Sequence, residues 1–225
     1  MHLHALVCAL SVRTHALRQA HRRLGPARAA PRVAALPVEA LVDRLVYAKG
    51  ANLYTLTPKN TFAKGLPKVI WQLVVEEPMA AGGLNVHRIA LRATPTELRY
   101  FARARWTERA PRMVQTLLVE SFENSGAIVA VGRKAIGLRS DYNLITELRE
   151  FQAEYFDADG IPSIRVRVNA KLVKQPRRAI VASRTFEAIK KAEGKDIQHV
   201  IQAFDQALGK VLRHTVEWTV RPQSS

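Results

Sequence analysis

A two-residue alternation of apolar and charged side chains constrains the fold of this sequence more than any other feature. It runs through Leu98–Trp106, where three arginines occupy odd positions, and returns in Ile164–Val173 with Arg165, Arg167 and Lys171. Successive side chains of a β-strand point to opposite faces of the sheet, so this period predicts strands that turn one face to a core. The cations then lie on the other face of each strand.

Shorter apolar runs between turn residues add further strands. They are Leu53–Thr57, Val69–Val75, His87–Leu91, Ala127–Val131, Tyr142–Phe156 and Ala179–Ala188, with Val216–Val220 as a short edge strand at the end. The wholly apolar Ala127–Val131 indicates a buried strand in a sheet with a covered face. Gln175 and Pro176 predict a turn that makes a hairpin of the two strands around it.

A helical period of 3.6 residues appears twice between these strands. For the first helix, Thr107 is the expected N-cap, Pro111 lies in the first turn, and Gly126 suits the stop. The second helix is expected to run from an Asp196 N-cap through Leu212. The order of four strands, a helix, four strands and a helix predicts an α/β fold, a single mixed-sheet sandwich with two main amphipathic helices.

Composition separates the first 50 residues from the rest. The 225 residues carry 35 Lys and Arg against 19 Asp and Glu, a net charge of +16, and residues 1–50 hold eight of the cations and two of the acids. The single cysteine, Cys8, excludes an internal disulfide, and the longest apolar run, Ala5–Leu10, is too short for a membrane span. We therefore expect residues 1–50 to be an atypical Arg- and Ala-rich segment and residues 51–221 to form one domain.

The residues carry no recognisable catalytic or metal-binding motif. Gly132–Lys134 lacks the glycine spacing and the hydroxyl residue of a phosphate-binding loop, and the three histidines after residue 50 lie far apart in the sequence. The carboxylates of Glu147, Glu150 and Glu154 are interpreted as a solvated face or cross-strand ion pairs rather than an acid–base dyad. We predict no enzyme activity, no catalytic residue, no cofactor and no metal site.

The strand cations form the candidate surface for an anionic partner, which we call the basic face. Its members are Arg88, Arg92, Arg99, Arg103, Arg105, Arg165, Arg167 and Lys171. On neighbouring strands they would make one sheet face positive, which suits an anionic lipid surface, an acidic protein or RNA. RNA is not favoured, because Phe101 is the one aromatic residue expected there and stacking platforms use more. The remaining interpretation is a solvated face that a helix or loop covers.

Several segments, in order over residues 52–220, resemble a known protein family. The clearest are Leu98–Trp106 and Ala110–Gln115, and the others are Leu53–Leu56, Arg88–Leu91, Glu120–Gly126, Leu148–Gln152 and Ala203–Asp205. They are similar to the ABC-type transport auxiliary lipoproteins, the Pqi-type partners of mammalian-cell-entry (MCE) domain lipid transporters. The signature residues Tyr100, Trp106, Pro111 and Gln115 are expected to have structural roles in packing and helix entry.

The resemblance implies a fold similar to the N-terminal domain of TolB, in a non-catalytic periplasmic protein associated with the outer membrane. The implied function is to assist lipid movement between the inner and outer membranes. The implied partners are an MCE-domain protein and, through it, an ABC permease and ATPase, with the inner leaflet of the outer membrane as a further contact after lipidation. Formation of a homo-oligomer is left open, and nucleic acid is not favoured as a partner.

Two points remain open at the level of the sequence. Family members carry a signal peptide with a lipobox cysteine shortly before the first strand, whereas no intact signal peptide or lipobox precedes Leu53 here. Residues 1–50 are therefore expected to be disordered, or misassigned in place of a lipoprotein signal. The alternative function is a basic single-domain nucleic-acid-binding module, which the net charge of +16 would suit.

Overall fold

The computed structural model describes residues 50–133 and 139–222, and these contain nine strands and two helices. The strands are β1 Asn52–Tyr54, β2 Val69–Val75, β3 Met79–Ala80, β4 Arg88–Thr94, β5 Glu97–Trp106, β6 Ile128–Arg133, β7 Tyr142–Glu154, β8 Ser163–Lys174 and β9 Ala179–Lys191. The helices are α1 Ala110–Ser125 and α2 Ile197–Val220. This confirms the predicted α/β fold with one mixed sheet and two main helices. Of the predicted segment 1–50, all but Gly50 lies outside the described residues.

Strand β7 organises the sheet. One edge of β7 pairs antiparallel with β8 along its whole length, and β8 pairs in turn with β9. The other edge is shared by three parallel neighbours, with β2 at residues 142–144, β3 at residues 147–148 and β4 at residues 152–154. Beyond these, β6 pairs with β2, while β5 and then β1 follow β4. The sheet therefore divides into two wings on one side of β7.

A cluster of three aromatic rings lies at the centre of the core, where α2 packs against the sheet. The ring centroids of Trp106, Phe151 and Phe204 lie 5.1 to 5.5 Å apart, and each side chain is almost fully buried. These rings come from β5, β7 and α2, so they join three parts of the chain. Burial of each ring stabilises the fold by about 1.5–3 kcal/mol, with a further contribution from the ring contacts.

The last helix is longer than predicted, because residues 216–220 continue α2 and do not form an edge strand. Val216 and Val220 extend the apolar stripe of α2 at a spacing of four residues and are buried. The hydroxyls of Thr215 and Thr219 each donate at 2.8 Å to the carbonyl four residues earlier. Burial of this stripe thus outweighs the strand preference of the β-branched residues.

The helix ends follow local capping rules only in part. As predicted, Asp196 caps α2 by accepting from the N–H groups of Gln198 and His199 at 3.0 and 3.1 Å, and Gly126 ends α1 with a φ of 59°. The predicted Thr107 N-cap is wrong, since Arg109 occupies that position. The N–H of Thr107 instead donates to the carbonyl of Tyr54 at 2.9 Å, which keeps Thr107 paired with β1.

Three strands also differ from their predicted form. The run Ala127–Val131 was expected to be buried, but β6 pairs with β2 alone among the described strands, and its Val129 is 71% exposed. Strand β1 ends at Tyr54 rather than at Thr57, and the two-residue β3 was not expected. Within residues 50–133 and 139–222, neither helix has the length and apolar character that a membrane crossing requires.

Candidate functional site

Glu150 of β7 lies at the centre of a charged cluster on the sheet. It accepts hydrogen bonds from Arg167 Nη2 at 2.7 Å and Gln152 Nε2 at 2.6 Å, and Arg92 Nη2 lies 3.5 Å from its carboxylate. Burial alone would raise the pKa of Glu150, but these hydrogen bonds and the two guanidinium charges outweigh it and hold the pKa below its ordinary value. The carboxylate is therefore ionised at neutral pH.

Glu154 forms the second centre of the same cluster. Its carboxylate accepts from Arg165 Nε at 2.9 Å and from Gln152 Nε2 at 3.1 Å, and Arg165 Nη1 also donates to Glu187 at 2.5 Å. Cross-strand ion pairing was one of the two interpretations of these carboxylates, and it describes Glu150 and Glu154. The other interpretation, a solvated face, does not fit Glu154, because this residue is only 6% exposed. The cluster fixes β4, β7, β8 and β9 side by side.

The structure brings only part of the basic face together. Arg92, Arg165 and Arg167 meet in the cluster, where Glu150, Glu154 and Glu187 offset their charge. The other five are all exposed, and of these Arg88 lies 3.8 Å from the ring centre of Tyr100 and Arg99 pairs with Glu97 at 2.7 Å. The remaining three are Arg103, Arg105 and Lys171. A role in binding an anionic partner stays a prediction for all eight.

The signature residues lie in the core or at its border. Trp106 is part of the central aromatic cluster, Pro111 is buried in the first turn of α1, and the Tyr100 hydroxyl donates to the carbonyl of Gly83 at 3.1 Å. Gln115 is buried, and its Nε2 donates to the carbonyl of Val75 at 2.9 Å. This hydrogen bond ties α1 to the end of β2.

A polar cleft of about 720 Å³ lies beside α2. Its walls are residues 57–60, Asn124 from the end of α1, and one side of α2 that carries Lys210, Arg213 and His214. Asp205 lies in this cleft but already accepts from Thr57, and Arg213 donates to Glu217 at 2.8 Å. Asp205 and Asn124, which donates to the carbonyl of Lys59 at 3.2 Å, thus hold residues 57–60 to the two helices.

An amphipathic groove of about 450 Å³ opens where β2 and β7 begin and α2 ends. We call it the Trp71 groove, and its lining residues are Pro67, Lys68, Val69, Trp71, Tyr142, Leu172, Lys174, Val181, Thr219, Val220, Arg221 and Pro222. The Trp71 and Tyr142 rings meet edge to face, with centroids 4.9 Å apart. No local sequence pattern indicates this groove, because it depends on the parallel pairing of Leu73 with Tyr142, which brings β2 beside the start of β7.

Two adjacent aliphatic side chains lie on the surface at the β2–β6 edge. Ile70 is 89% exposed and Val129 is 71% exposed. Each follows a residue of the Val69–Ile128 pair, so the two lie on neighbouring strands, at a point where the register between β2 and β6 is irregular. Large apolar side chains that cluster on a surface are typical of a contact site for another molecule. Within the described residues, no group of three or more His, Cys, Asp or Glu side chains could hold a metal ion.

Residues 54–216 match the family model of the ABC-type transport auxiliary lipoprotein component. The chain belongs to this family. The family is described as an auxiliary lipoprotein component of ABC-type transport.

Two solved structures that are similar to this chain share its fold. Protein XCC0632 from Xanthomonas campestris, of the family DUF330, is 37% identical with a TM-score of 0.71, over 76% of this chain and 95% of that one. The crystal structure of an uncharacterised protein is 15% identical with a TM-score of 0.61, over 76% of this chain and 99% of that one, and it shows the fold alone.

The uncharacterised protein bll6063 of Bradyrhizobium diazoefficiens is a relative that is 29% identical to this chain over 148 residues. The match covers 66% of this chain and 39% of the relative, so the chain spans about two fifths of the length of that protein.

Proposed function

We propose that this chain is a non-catalytic periplasmic accessory component of an ABC/MCE-type transporter, which moves lipids between the inner and outer membranes. Its partner is an MCE-domain protein, and through that protein it joins the permease and the ATPase. Residues 51–221 form the domain that does this, at the inner leaflet of the outer membrane. The family match over residues 54–216 supports the association with an ABC system.

The exposed pair Ile70 and Val129 is the observation that carries the protein-docking part of this function. Two large aliphatic side chains that are 89% and 71% exposed on adjacent strands form an apolar surface without a covering element among the described residues. Strand β6 also leaves one backbone edge unpaired by any described strand. An edge strand with apolar side chains is a frequent docking site for a partner protein.

The charge distribution weighs against the alternative of a nucleic-acid-binding module. A protein that binds phosphates needs cations that are available to them. Three central cations of the basic face, Arg92, Arg165 and Arg167, already pair with carboxylates of the sheet.

Affinity capture from cross-linked membrane extracts tests the proposal. The full chain is expected to capture an MCE-domain protein, and Ile70→Glu together with Val129→Glu is expected to abolish this capture, because each adds a charge to the apolar contact. The matched control is Ile189→Glu on the opposite edge strand β9, where the residue is 53% exposed. Absence of MCE, permease and ATPase subunits from the wild-type capture would overturn the proposal.

A further inference from the structure

The Trp71 groove combines an apolar, aromatic lining with cationic side chains. Its floor is apolar and aromatic, with Trp71, Tyr142, Val181 and Val220 among the lining residues. Its rim is cationic. At about 450 Å³ the groove falls within the size range of small-molecule sites in proteins.

The floor of the groove suits an alkyl chain. Trp71 and Tyr142 are both half-buried, so their rings present apolar surface at the opening while the contact between them fixes their positions. Val181 is 37% exposed beside them, and its neighbour Ile180 is 60% exposed. Aromatic and aliphatic side chains of this kind bury the apolar part of an amphiphile without the need for a specific hydrogen bond.

The rim of the groove gives the sign of the charge on the ligand. Lys68, Lys174 and Arg221 are exposed lining residues, and none of the lining residues is an Asp or Glu. Lysine stems can lie along apolar surface while the ammonium group reaches a polar headgroup. The polar cleft beside α2 is different, because it contains Asp205 and lacks an aromatic floor.

We propose that the Trp71 groove binds one anionic amphiphile, with its acyl chain against Trp71, Tyr142 and Val181 and its headgroup between Lys68 and Lys174. The inference deepens the proposed function, since it rests on lipid as the transported substrate and gives that lipid a contact on this chain. The ligand is a single lipid molecule and not a bilayer surface, because the apolar residues line a groove.

Tryptophan fluorescence of the full chain locates the ligand. Brominated stearate, added below its micelle-forming concentration, is expected to quench emission because the bromine atoms come close to Trp71. Trp71→Phe keeps an aromatic ring in the groove and is expected to remove most of the quenching. Of the other two tryptophans, Trp106 is 1% exposed in the core, and Trp218 packs against Phe186 outside the groove lining. Neither is expected to account for the quenching. Quenching that persists in Trp71→Phe would overturn the proposal.

Substitutions in the floor and at the rim test the two halves of the site. Val181→Asp is expected to weaken stearate binding by about tenfold or more, because the acyl chain would have to desolvate the carboxylate that replaces an apolar side chain. Ile189→Asp on the same strand, where the residue is 53% exposed outside the groove, is expected to leave binding unchanged. An equal loss in the two variants would contradict the assignment.

Lys174→Glu tests the headgroup contact. It is expected to weaken binding of lysophosphatidylglycerol more than binding of lysophosphatidylcholine with the same acyl chain. Lys195→Glu, at an exposed lysine before α2 that lies outside the groove, is expected to change neither. Binding to vesicles of phosphatidylcholine and phosphatidylglycerol without binding of either monomeric lipid would overturn the groove in favour of a membrane-contacting surface.

The failure of this inference can be told apart from failure of the proposed function. Val181→Asp is expected to capture the MCE-domain protein as the wild type does, because Ile70 and Val129 are unchanged in it. Capture without lipid binding would refute the groove alone. Lipid binding without capture would refute the proposed transporter partner and leave the groove as the lipid site.

Discussion

Thr57 and Asp205 are joined by hydrogen bonds although 148 positions separate them in the sequence. The Asp205 carboxylate accepts from the Thr57 N–H at 2.7 Å and from its hydroxyl at 2.9 Å. Residues 55–68, which we call the helix strap, have no strand or helix of their own. Two further N–H groups of the strap, those of Lys59 and Ala63, donate to Ser121 and Glu217. Side chains of both helices thus satisfy the backbone of the strap.

Asp205→Ala is therefore expected to loosen the helix strap. It removes two hydrogen bonds to a charged acceptor, which lowers the free energy of unfolding by about 1–3 kcal/mol. Urea unfolding measures this loss, and hydrogen exchange at the Thr57 amide, which should become faster, assigns it to the strap. Gln206→Ala, at the exposed neighbouring position, is the control and should leave both unchanged. A Thr57 amide that stays protected in Asp205→Ala would refute the role of this contact.

The charged cluster predicts a dependence of stability on pH. The pKa of Glu150 is lowered in the fold, against about 4.3 for an unfolded-chain glutamate. Glu150 therefore stabilises the protein above that value and loses this contribution as the pH falls through its folded-state pKa. Glu150→Gln should lower the unfolding free energy at neutral pH by about 1–3 kcal/mol and flatten its decline in acid.

Chemical unfolding between about pH 6 and about pH 3 measures this slope. Glu97→Gln is the matched control, because Glu97 also pairs with an arginine, Arg99, but in a contact whose side chains are 43% and 62% exposed. Exposed pairs contribute about 0–1 kcal/mol, so this variant should follow the wild-type profile. Identical acid profiles for Glu150→Gln and the wild type would contradict the prediction.

The features that could be predicted from sequence are those that depend on neighbouring residues. Asp196 caps α2 because its acceptor and the N–H groups that it binds lie within three positions. The alternation in Leu98–Trp106 predicts a strand because the period is local, and Trp106 is indeed in the core. The prediction of an edge strand at Val216–Val220 was wrong. The β-branched residues of this segment favour a strand, but the buried apolar stripe of the preceding helical turns continues through it.

Contacts across the sheet could not be read from the sequence. The cluster at Glu150 needs β4 to pair with the end of β7, and the Trp71 groove needs β2 to pair with its start. Both are parallel pairings between strands far apart in the chain, and no local pattern specifies their register. The same charges that suggested an open basic face are partly offset once these pairings form.

The aromatic core predicts a large loss of stability on truncation. Phe204→Ala removes the α2 member of the cluster, which contacts both Trp106 and Phe151, and should cost about 3–5 kcal/mol in unfolding free energy. Phe156→Ala is the control, because Phe156 is 48% exposed and leaves no buried cavity. Thermal or urea unfolding measures both, and a similar cost for the two variants would contradict the central place of the cluster.

A substitution of Gln115 tests whether a signature residue has a structural role or contacts the partner protein. Its Nε2 donates to the Val75 carbonyl, while its Oε1 is buried without a hydrogen-bond partner within the described structure. Gln115→Ala leaves the Val75 carbonyl unsatisfied and opens a cavity, so the free energy of unfolding should fall by about 2–3 kcal/mol. Because the side chain is 4% exposed, capture of the MCE-domain protein below the unfolding transition should match the wild type. If Gln115→Ala is folded, with an unchanged circular dichroism spectrum, but no longer captures the MCE-domain protein, the purely structural role is contradicted. Gln115 would then be part of the partner contact.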